Sequence, residues 1–460
     1  MNQESYFSGT WIVGMHGSGK TTLLLTMIAA KLKQNCSIVV MDSKGQLTDA
    51  VRRLDLGDRL IVVDPDIPMA INPFDVKGSQ HVISQLGYML GGLLETNITP
   101  KQRTFFETLV AALLHFPNPS LPLLWDIVSK GPRAYVSQIQ HMPGEIQSFF
   151  GPEWDTYSDT SKEMQWRLRG ILSKPLIKQM FNAPKTRFHI DKAIDSGQVV
   201  VIDNSQVKCT PEGCGFIGRL FVAQIWSAGT ARQLLPDHQK KPTYVFIDEA
   251  HLVIKKDQKI AAIIDELRSQ KIALVLAHQR VGHIEDPNVR GALENCAIKM
   301  ANVDAEAEYF SKLLHIPLER MNQLPRGHFA MHERHERGGT SSIVEVTPLP
   351  FHCRQMTEQE QLAHRERMIR LYGVQPAGML HDGKQQAQKP PEGGPRTAAT
   401  VAPRPDAVRE HRESAPSEAP PRGLDIHVSP GTQSGGPTIS ESAHPEQRNK
   451  RDPGEPSDTW

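Results

Sequence analysis

Short apolar runs rich in β-branched residues recur along the chain: Trp11 to Val13, Ser37 to Asp42, Arg59 to Asp64, Gln198 to Asp203, Thr243 to Asp248 and Lys271 to His278. Each reads as a buried-type strand. Segments of helical spacing separate them, including Thr22 to Leu32, Gly215 to Arg232 and Gln258 to Ser269. Strands alternating with helices in this way predict crossover connections and an α/β fold with a mainly parallel sheet. Three last strands are expected at Ala297 to Ala301, Gly327 to Met331 and Ser342 to Val346, with a helix from Asp304 to Leu314 before the second of them.

From about Ser79 the period changes from strand-like to helical. Thr99-Pro100-Lys101-Gln102 has the chemistry of a helix start: a Thr cap, Pro in the first turn and Gln to complete a capping box. Phe106, Leu109, Val110, Leu113 and Leu114 then share one face. Ser158 to Phe181 is also helical in pattern, with a break expected at Lys174-Pro175. The organisation that follows is a sheet domain in two parts, residues 1–78 and 188–353, interrupted by an all-helical insertion over 79–187. Thr357-Glu358-Gln359-Glu360 is a capping box that opens a final helix within 354–375. Over 376–460 the character changes again. Fourteen of the 34 prolines fall in these last 85 residues and Trp460 is their only aromatic, too little apolar surface to offset the entropy of ordering. This segment is expected to be a disordered tail.

Composition narrows the class. A chain of 460 residues can bury a sizeable core, and a net charge of +1 neither requires nor excludes nucleic acid. Five scattered cysteines, Cys36, Cys209, Cys214, Cys296 and Cys353, suggest free thiols in a reducing compartment, and Cys209 and Cys214 lack neighbours that would complete a zinc site. The N-terminus has no basic region followed by an apolar run, and no segment is long and apolar enough to span a bilayer. A cytoplasmic location is expected. One stretch is locally basic: Lys162, Arg167, Arg169, Lys174, Lys178, Lys185 and Arg187 stand against Glu163, with Trp166 and Phe181 interleaved. It reads either as a contact to nucleic-acid backbone or as a solvated helix face. The acidic remainder of the insertion cancels the excess and favours the solvated face.

The chemistry is concentrated in two motifs. Gly14-Met15-His16-Gly17-Ser18-Gly19-Lys20-Thr21 satisfies G-x-x-x-x-G-K-[ST], and it lies between a predicted strand and a predicted helix, as a phosphate-cradling loop must. Gly14, Gly17, Ser18, Gly19, Lys20, Thr21 and Thr22 are the expected nucleotide-binding residues, with Lys20 on the β/γ-phosphates and the Thr21 hydroxyl on Mg²⁺. The second motif, Thr243 to Asp248 followed by Glu249-Ala250-His251, is an apolar strand running into an acidic pair. Asp248 is expected to hold Mg²⁺ with Thr21, and Glu249 to orient and deprotonate the attacking water. Gln279, at the end of the next strand, fits a γ-phosphate sensor because an amide both donates and accepts. Arg268 is the candidate arginine finger for a neighbouring subunit, with Arg280 as competitor; its alternative is a cation complementing a helix C-terminus. His16, His251 and His278 are read as packing or hydrogen-bonding residues. The lysine is expected to meet the acidic pair across adjacent strands of one sheet.

Taken together, the P-loop, Asp42-Ser43-Lys44-Gly45, Asn72-Pro73-Phe74-Asp75, Asp248-Glu249-Ala250-His251 and Ala277-His278-Gln279 resemble the HerA–FtsK superfamily of RecA-like ATPases, and within it the conjugative type IV coupling proteins of the TraD/TraG kind. The resemblance spans roughly residues 8 to 350. It implies a RecA-like P-loop ATPase fold with an all-helical insertion, ATP and Mg²⁺ as cofactors, and ATP sites at the subunit interfaces of a hexameric ring that moves DNA. It also implies a relaxase or secretion-system partner, which could hold the protein at the inner membrane. The alternative is a secretion ATPase that works on protein or on assembly and moves no DNA. A DEAH-box helicase, suggested by residues 248–251, is opposed by Ala-His-Gln in place of a Ser-Ala-Thr-like motif and by too little chain after Gln279 for a second RecA-like domain.

Overall fold

The computed structural model describes residues 3–67, 69–75, 80–91, 99–254, 259–336 and 338–374. The tail expected over 376–460 and the expected helix start at Gln258 lie outside the described residues. Among the described residues nine strands form one sheet: β1 Thr10–Gly14, β2 Ser37–Asp42, β3 Leu60–Val63, β4 Val199–Asp203, β5 Thr243–Asp248, β6 Ile272–His278, β7 Ile298–Asn302, β8 His328–His335 and β9 Gly338–Glu345. Their order is β3-β4-β2-β5-β6-β1-β7-β8-β9. The first seven in that order are parallel; β8 and β9 close one side as an antiparallel hairpin. The α/β fold with a mainly parallel sheet is as expected.

Both faces of the parallel strands are apolar because both are covered. Ile38 and Val40 of β2 enter one core with Leu23, Leu24, Met27 and Ile28 of helix Lys20–Leu32, while Val39 and Met41 enter the core on the opposite face. Tyr244 and Phe246 against Val245 and Ile247 repeat the split in β5. A short first helix, Gln3–Phe7, was not foreseen; it sets Tyr6 and Phe7 against the Tyr244 ring at 5.6 and 5.9 Å.

Between β3 and β4 the described residues form helices and no strand. Thr99 and Gln102 make the reciprocal capping bonds, and the break at Lys174-Pro175 separates Ser158–Leu172 from Pro175–Phe181. Phe105, Phe149 and Tyr157 pack together there, and their cluster is continuous with one face of the sheet. The basic stretch is divided. Lys185 pairs with Asp75 at 2.9 Å and Arg187 donates to the carbonyls of Gly373 and Arg370, so these two are consumed in holding the chain together. Lys162, Arg169, Lys174 and Lys178 remain exposed, as does Trp166 at 67%, with Arg169 over its ring. The last helix, Glu358–Tyr372, opens on its capping box and lies along the β3 edge, where His364 meets the Leu60 carbonyl at 3.2 Å.

Candidate nucleotide site

All seven parallel strands point their C-terminal ends to one edge, the edge at which such sheets bind ligands. There the chain leaves β1 through the P-loop. Gly17 at φ +80° and Gly19 at φ +99° occupy the left-handed region, and helix Lys20–Leu32 begins directly after Gly19, earlier than expected. The N–H groups of Lys20, Thr21 and Thr22 have no intrahelical acceptor and form an anion cradle. Its shape is fixed from the side. Met15 N donates to Asn302 O (3.1 Å) at the end of β7, Gly327 N donates to Ser18 O (2.8 Å), and the Asn302 amide donates to the carbonyls of Pro325 and His328. Asn302 and Gly327 had no sequence signal.

Lys20 is 8% exposed. Its ammonium pairs with the Asp248 carboxylate and lies 3.7 Å from Glu249 Oε1. The strands involved are not adjacent, contrary to expectation: β6 lies between β1 and β5, so the lysine reaches over the end of β6. His278 occupies that end, fully buried. Its Nε2 accepts from Trp11 Nε1 (2.7 Å), which leaves the proton on Nδ1 to donate to Arg280 O (2.9 Å). Burial, reinforced by the nearby charges of His251, His283 and Lys20, pushes its pKa down to about 3, so the ring is neutral and packs, as expected.

Glu249 follows β5 in the left-handed region at φ +52°, a conformation that costs a non-glycine residue energy and recurs at functional sites. That turn directs the carboxylate into a ring of donors. Gln279 Nε2 donates to Oε1 at 2.8 Å, Lys44 Nζ donates to the same oxygen, and His251 Nδ1 lies 3.4 Å from Oε2. Burial alone would raise this carboxyl; the hydrogen bonds from Lys44 and Gln279 and the charge of Lys20 outweigh it and hold the pKa at about 2.

Lys44 lies in the Asp42-Ser43-Lys44-Gly45 motif, where the sequence alone predicts no target for it. Asp42 explains how it is placed. The buried carboxylate accepts from Lys44 N (2.8 Å) and Leu47 N (2.6 Å), and Gly45 turns the chain at φ +85°. The Asp-x-Lys-Gly motif is thus a turn that delivers an ammonium to Glu249. Burial and the neighbouring Asp248 raise the Asp42 carboxyl above its ordinary range.

Asp203, Asp42 and Asp248 stand in register on three neighbouring strands, and Asp64 follows β3. Lys208 joins Asp64 (2.7 Å) and Asp203 (2.8 Å), with Arg52 at 3.1 Å from Asp64. Burial would lower the Lys208 ammonium, but its bonds to Asp203 and Asp64 prevail and raise it.

The fold thus gathers the P-loop residues, Asp248, Glu249 and Gln279 at one edge, with Thr21 and Thr22 half-buried in the first helical turn. Arg268 is elsewhere. It ends helix Ile260–Arg268, just before β6 begins, and so stands at the opposite edge of the sheet, exposed in a cavity of about 190 Å³ shared with Arg334 and Asp265. Arg280 is exposed two residues beyond His278.

Residues 1–84 match the family described as the type IV secretion-system coupling protein DNA-binding domain. Among curated proteins none matches the chain. The fold is similar to that of the bacterial conjugative coupling protein TrwB lacking its first 70 residues (TM-score 0.58, 14% identity, 77% of this chain and 88% of that one). It is similar too to TrwB in complex with ADP and Mg²⁺ (TM-score 0.56, 14% identity, covering 77% and 89%). A third likeness is to VirB4 of Thermoanaerobacter pseudethanolicus (TM-score 0.51, 14% identity, covering 75% and 90%). The P-loop segment thus matches a coupling-protein family model, and the fold is similar to that of TrwB and of VirB4.

Proposed function

We propose that the chain is an ATPase of the conjugative coupling kind, hydrolysing ATP at the subunit interfaces of a ring, a hexamer, to move DNA. The observation that carries the reading is the convergence on Glu249: a buried carboxylate 3.7 Å from the P-loop lysine and 2.8 Å from the amide of Gln279. The donor set suits the cofactors. Backbone N–H groups and Lys20 suit a triphosphate, and a hydroxyl (Thr21) with a carboxylate (Asp248) suits Mg²⁺, a hard cation. Mg²⁺ held there would supply positive charge to the phosphates of the nucleotide. Lys20, released from Asp248, holds the phosphates; Glu249 takes the proton of the attacking water; and Gln279 keeps the Glu249 carboxylate oriented. TrwB is known in complex with an ATP analogue and with ADP and Mg²⁺, which supports the same ligands here.

Arg268, remote from the phosphate loop of its own subunit, is assigned to a neighbour's nucleotide. No helix of the described residues is long and apolar enough to cross a membrane; attachment to the inner membrane is assigned to a relaxase or secretion-system partner. Phosphate release measured with and without single- and double-stranded DNA, alongside native mass, tests the reading. Hydrolysis and assembly that DNA leaves unchanged would transfer the protein to the alternative, a secretion ATPase acting on protein or assembly.

A further inference from the structure

Beside Glu249 lies a cavity of about 360 Å³ lined by Lys44, Gln206, His251, Gln279 and His283 as well as Glu249 itself. Val207, on the same wall and 88% exposed, shows that it opens to solvent. Four segments form it, those following β2, β4, β5 and β6, and Gln206 N donates to Ser43 O (3.1 Å) to tie two of them together. Its polar lining is one ammonium, two amides, two imidazoles and the Ser43 hydroxyl against one carboxylate. The Nδ1 of His283 is buried there without a hydrogen-bond partner among the described residues. This is the lining of an anion site, and its single carboxylate is already engaged.

That engagement has a catalytic consequence. Glu249 Oε1 accepts from Lys44 and from Gln279 together, and Oε2 faces His251. A carboxylate oxygen has two lone pairs, and the base must offer a free one to the attacking water. Lys44 therefore helps to close Oε1 and sets its own positive charge against the carboxylate that must draw the proton, while its side chain is 45% exposed and free to swing into the cavity. We propose that this cavity receives a phosphate of the nucleic-acid backbone, and that Lys44 is its ligand: a phosphate drawn in takes the ammonium from Glu249 and leaves the base able to act. Lys44 is then a positioning residue that makes ATP turnover follow DNA engagement. The exchange moves one ammonium between two singly charged anions, so local phosphate density decides it. A DNA duplex, with a charge every ~1.7 Å along its axis, supplies that density. The inference rests on the DNA-stimulated ATPase proposed above, and Lys44 falls within the 1–84 segment that matches a DNA-binding family.

The test compares the full chain with Lys44→Met and Lys44→Arg, by phosphate release at saturating ATP with and without DNA. Lys44→Met is expected to raise the DNA-free rate roughly tenfold, a fraction of what a general base contributes, and to bring the stimulation by DNA close to one. Lys44→Arg keeps the charge and keeps the stimulation. DNA binding without nucleotide, measured by anisotropy across salt, should lose about 0.9 from its log–log slope in Lys44→Met, a change that a purely structural role would not produce. Equal melting and equal binding of a fluorescent ATP analogue establish that the variant is folded. If it is not, Gln206→Glu serves instead: an anion placed in the cavity should lower the stimulation. A Lys44→Met protein that is slower without DNA, or that DNA stimulates as strongly as it does wild type, overturns this inference alone. A wild type indifferent to DNA overturns the proposed function and this trigger with it. Millimolar inorganic phosphate that activates wild type as DNA does overturns the assignment to nucleic acid.

Discussion

Glu249→Gln separates binding from chemistry. The substitution preserves shape: the amide oxygen still accepts from Gln279 and Lys44, and the new NH₂ faces His251 Nδ1, 3.4 Å away, which can accept. What disappears is the charge. Removing a general base costs about 10²–10⁴ in rate, equivalent to about 3–5 kcal/mol on the barrier. The effect on nucleotide affinity has the opposite sign. Lys20 is held 3.7 Å from Glu249, an attraction of about 4 kcal/mol at an effective dielectric of ~20, most of which solvation of the freed ammonium would return. Triphosphate has to draw Lys20 away from that attraction, so a neutral residue 249 should tighten binding, by up to about tenfold after that cancellation. Single-turnover hydrolysis together with titration of a fluorescent ATP analogue reads both quantities. A rate within tenfold of wild type removes Glu249 from the role of base. An affinity more than tenfold weaker would show that the carboxylate holds the loop together and does not compete for Lys20.

Four further outcomes follow from the same geometry. Lys20→Ala should abolish nucleotide binding in the same titration, and a dissociation constant within tenfold of wild type would contradict the P-loop assignment. Gly19→Ala forces a Cβ into a residue at φ +99° and to 3.2 Å from the Gly327 backbone; about 1–2 kcal/mol of stability should be lost in denaturant titration, with nucleotide affinity, and an unchanged midpoint would argue against the docked glycines. Mixed rings of Arg268→Ala and Lys20→Ala subunits should recover activity that neither variant has alone, as a finger acting in trans requires; no recovery would leave Arg268 as a helix-end cation. His278 makes stability depend on pH: its folded pKa lies near 3, below the ordinary value of 6.5, so the unfolded chain binds the extra proton. Its contribution is complete above about pH 6.5 and falls by about 1.4 kcal/mol per unit as pH drops toward 3; His278→Gln should flatten that slope, and an unaltered profile would show the ring to be charged or exposed.

The sheet was legible because its strands are buried on both faces, and uninterrupted apolar runs such as Ile38 to Met41 announce that directly. The P-loop, Asp248 and Glu249 were legible because strand ends place them and backbone rules shape them. Gln279 required a guess about strand order, since its distance from Glu249 is a tertiary fact. Strand order is also where the reading failed: β6 separates β1 from β5, and nothing local in the sequence says which parallel strands are neighbours. Asn302 and Gly327 were invisible for a related reason. An asparagine ending a strand and a glycine in a turn are commonplace, and only the fold brings them against the phosphate loop. Lys44 was visible as part of a motif but silent about its target, because a lysine's reach exceeds anything its neighbours in sequence constrain.

The row of aspartates shows how position divides residues that a sequence presents alike. Parallel strands lie about 4.8 Å apart, and at that spacing two carboxylates repel by ~3.5 kcal/mol at an effective dielectric of ~20. A row of four must therefore be compensated. At the outer end, Lys208 and Arg52 lie on Asp64 and Asp203, away from the phosphate loop. At the inner end the balance is made differently. Asp42 gives its oxygens to the N–H groups of Lys44 and Leu47, and Asp248 is matched by Lys20, the cation proposed to hold a triphosphate. On the proposed function, Lys20 moving to the phosphates would leave Asp248 needing another positive charge, the role assigned to Mg²⁺. The outer pair is held by side chains that stay in place and Asp42 by the backbone, so of the four only Asp248, through Lys20, would register whether nucleotide is present.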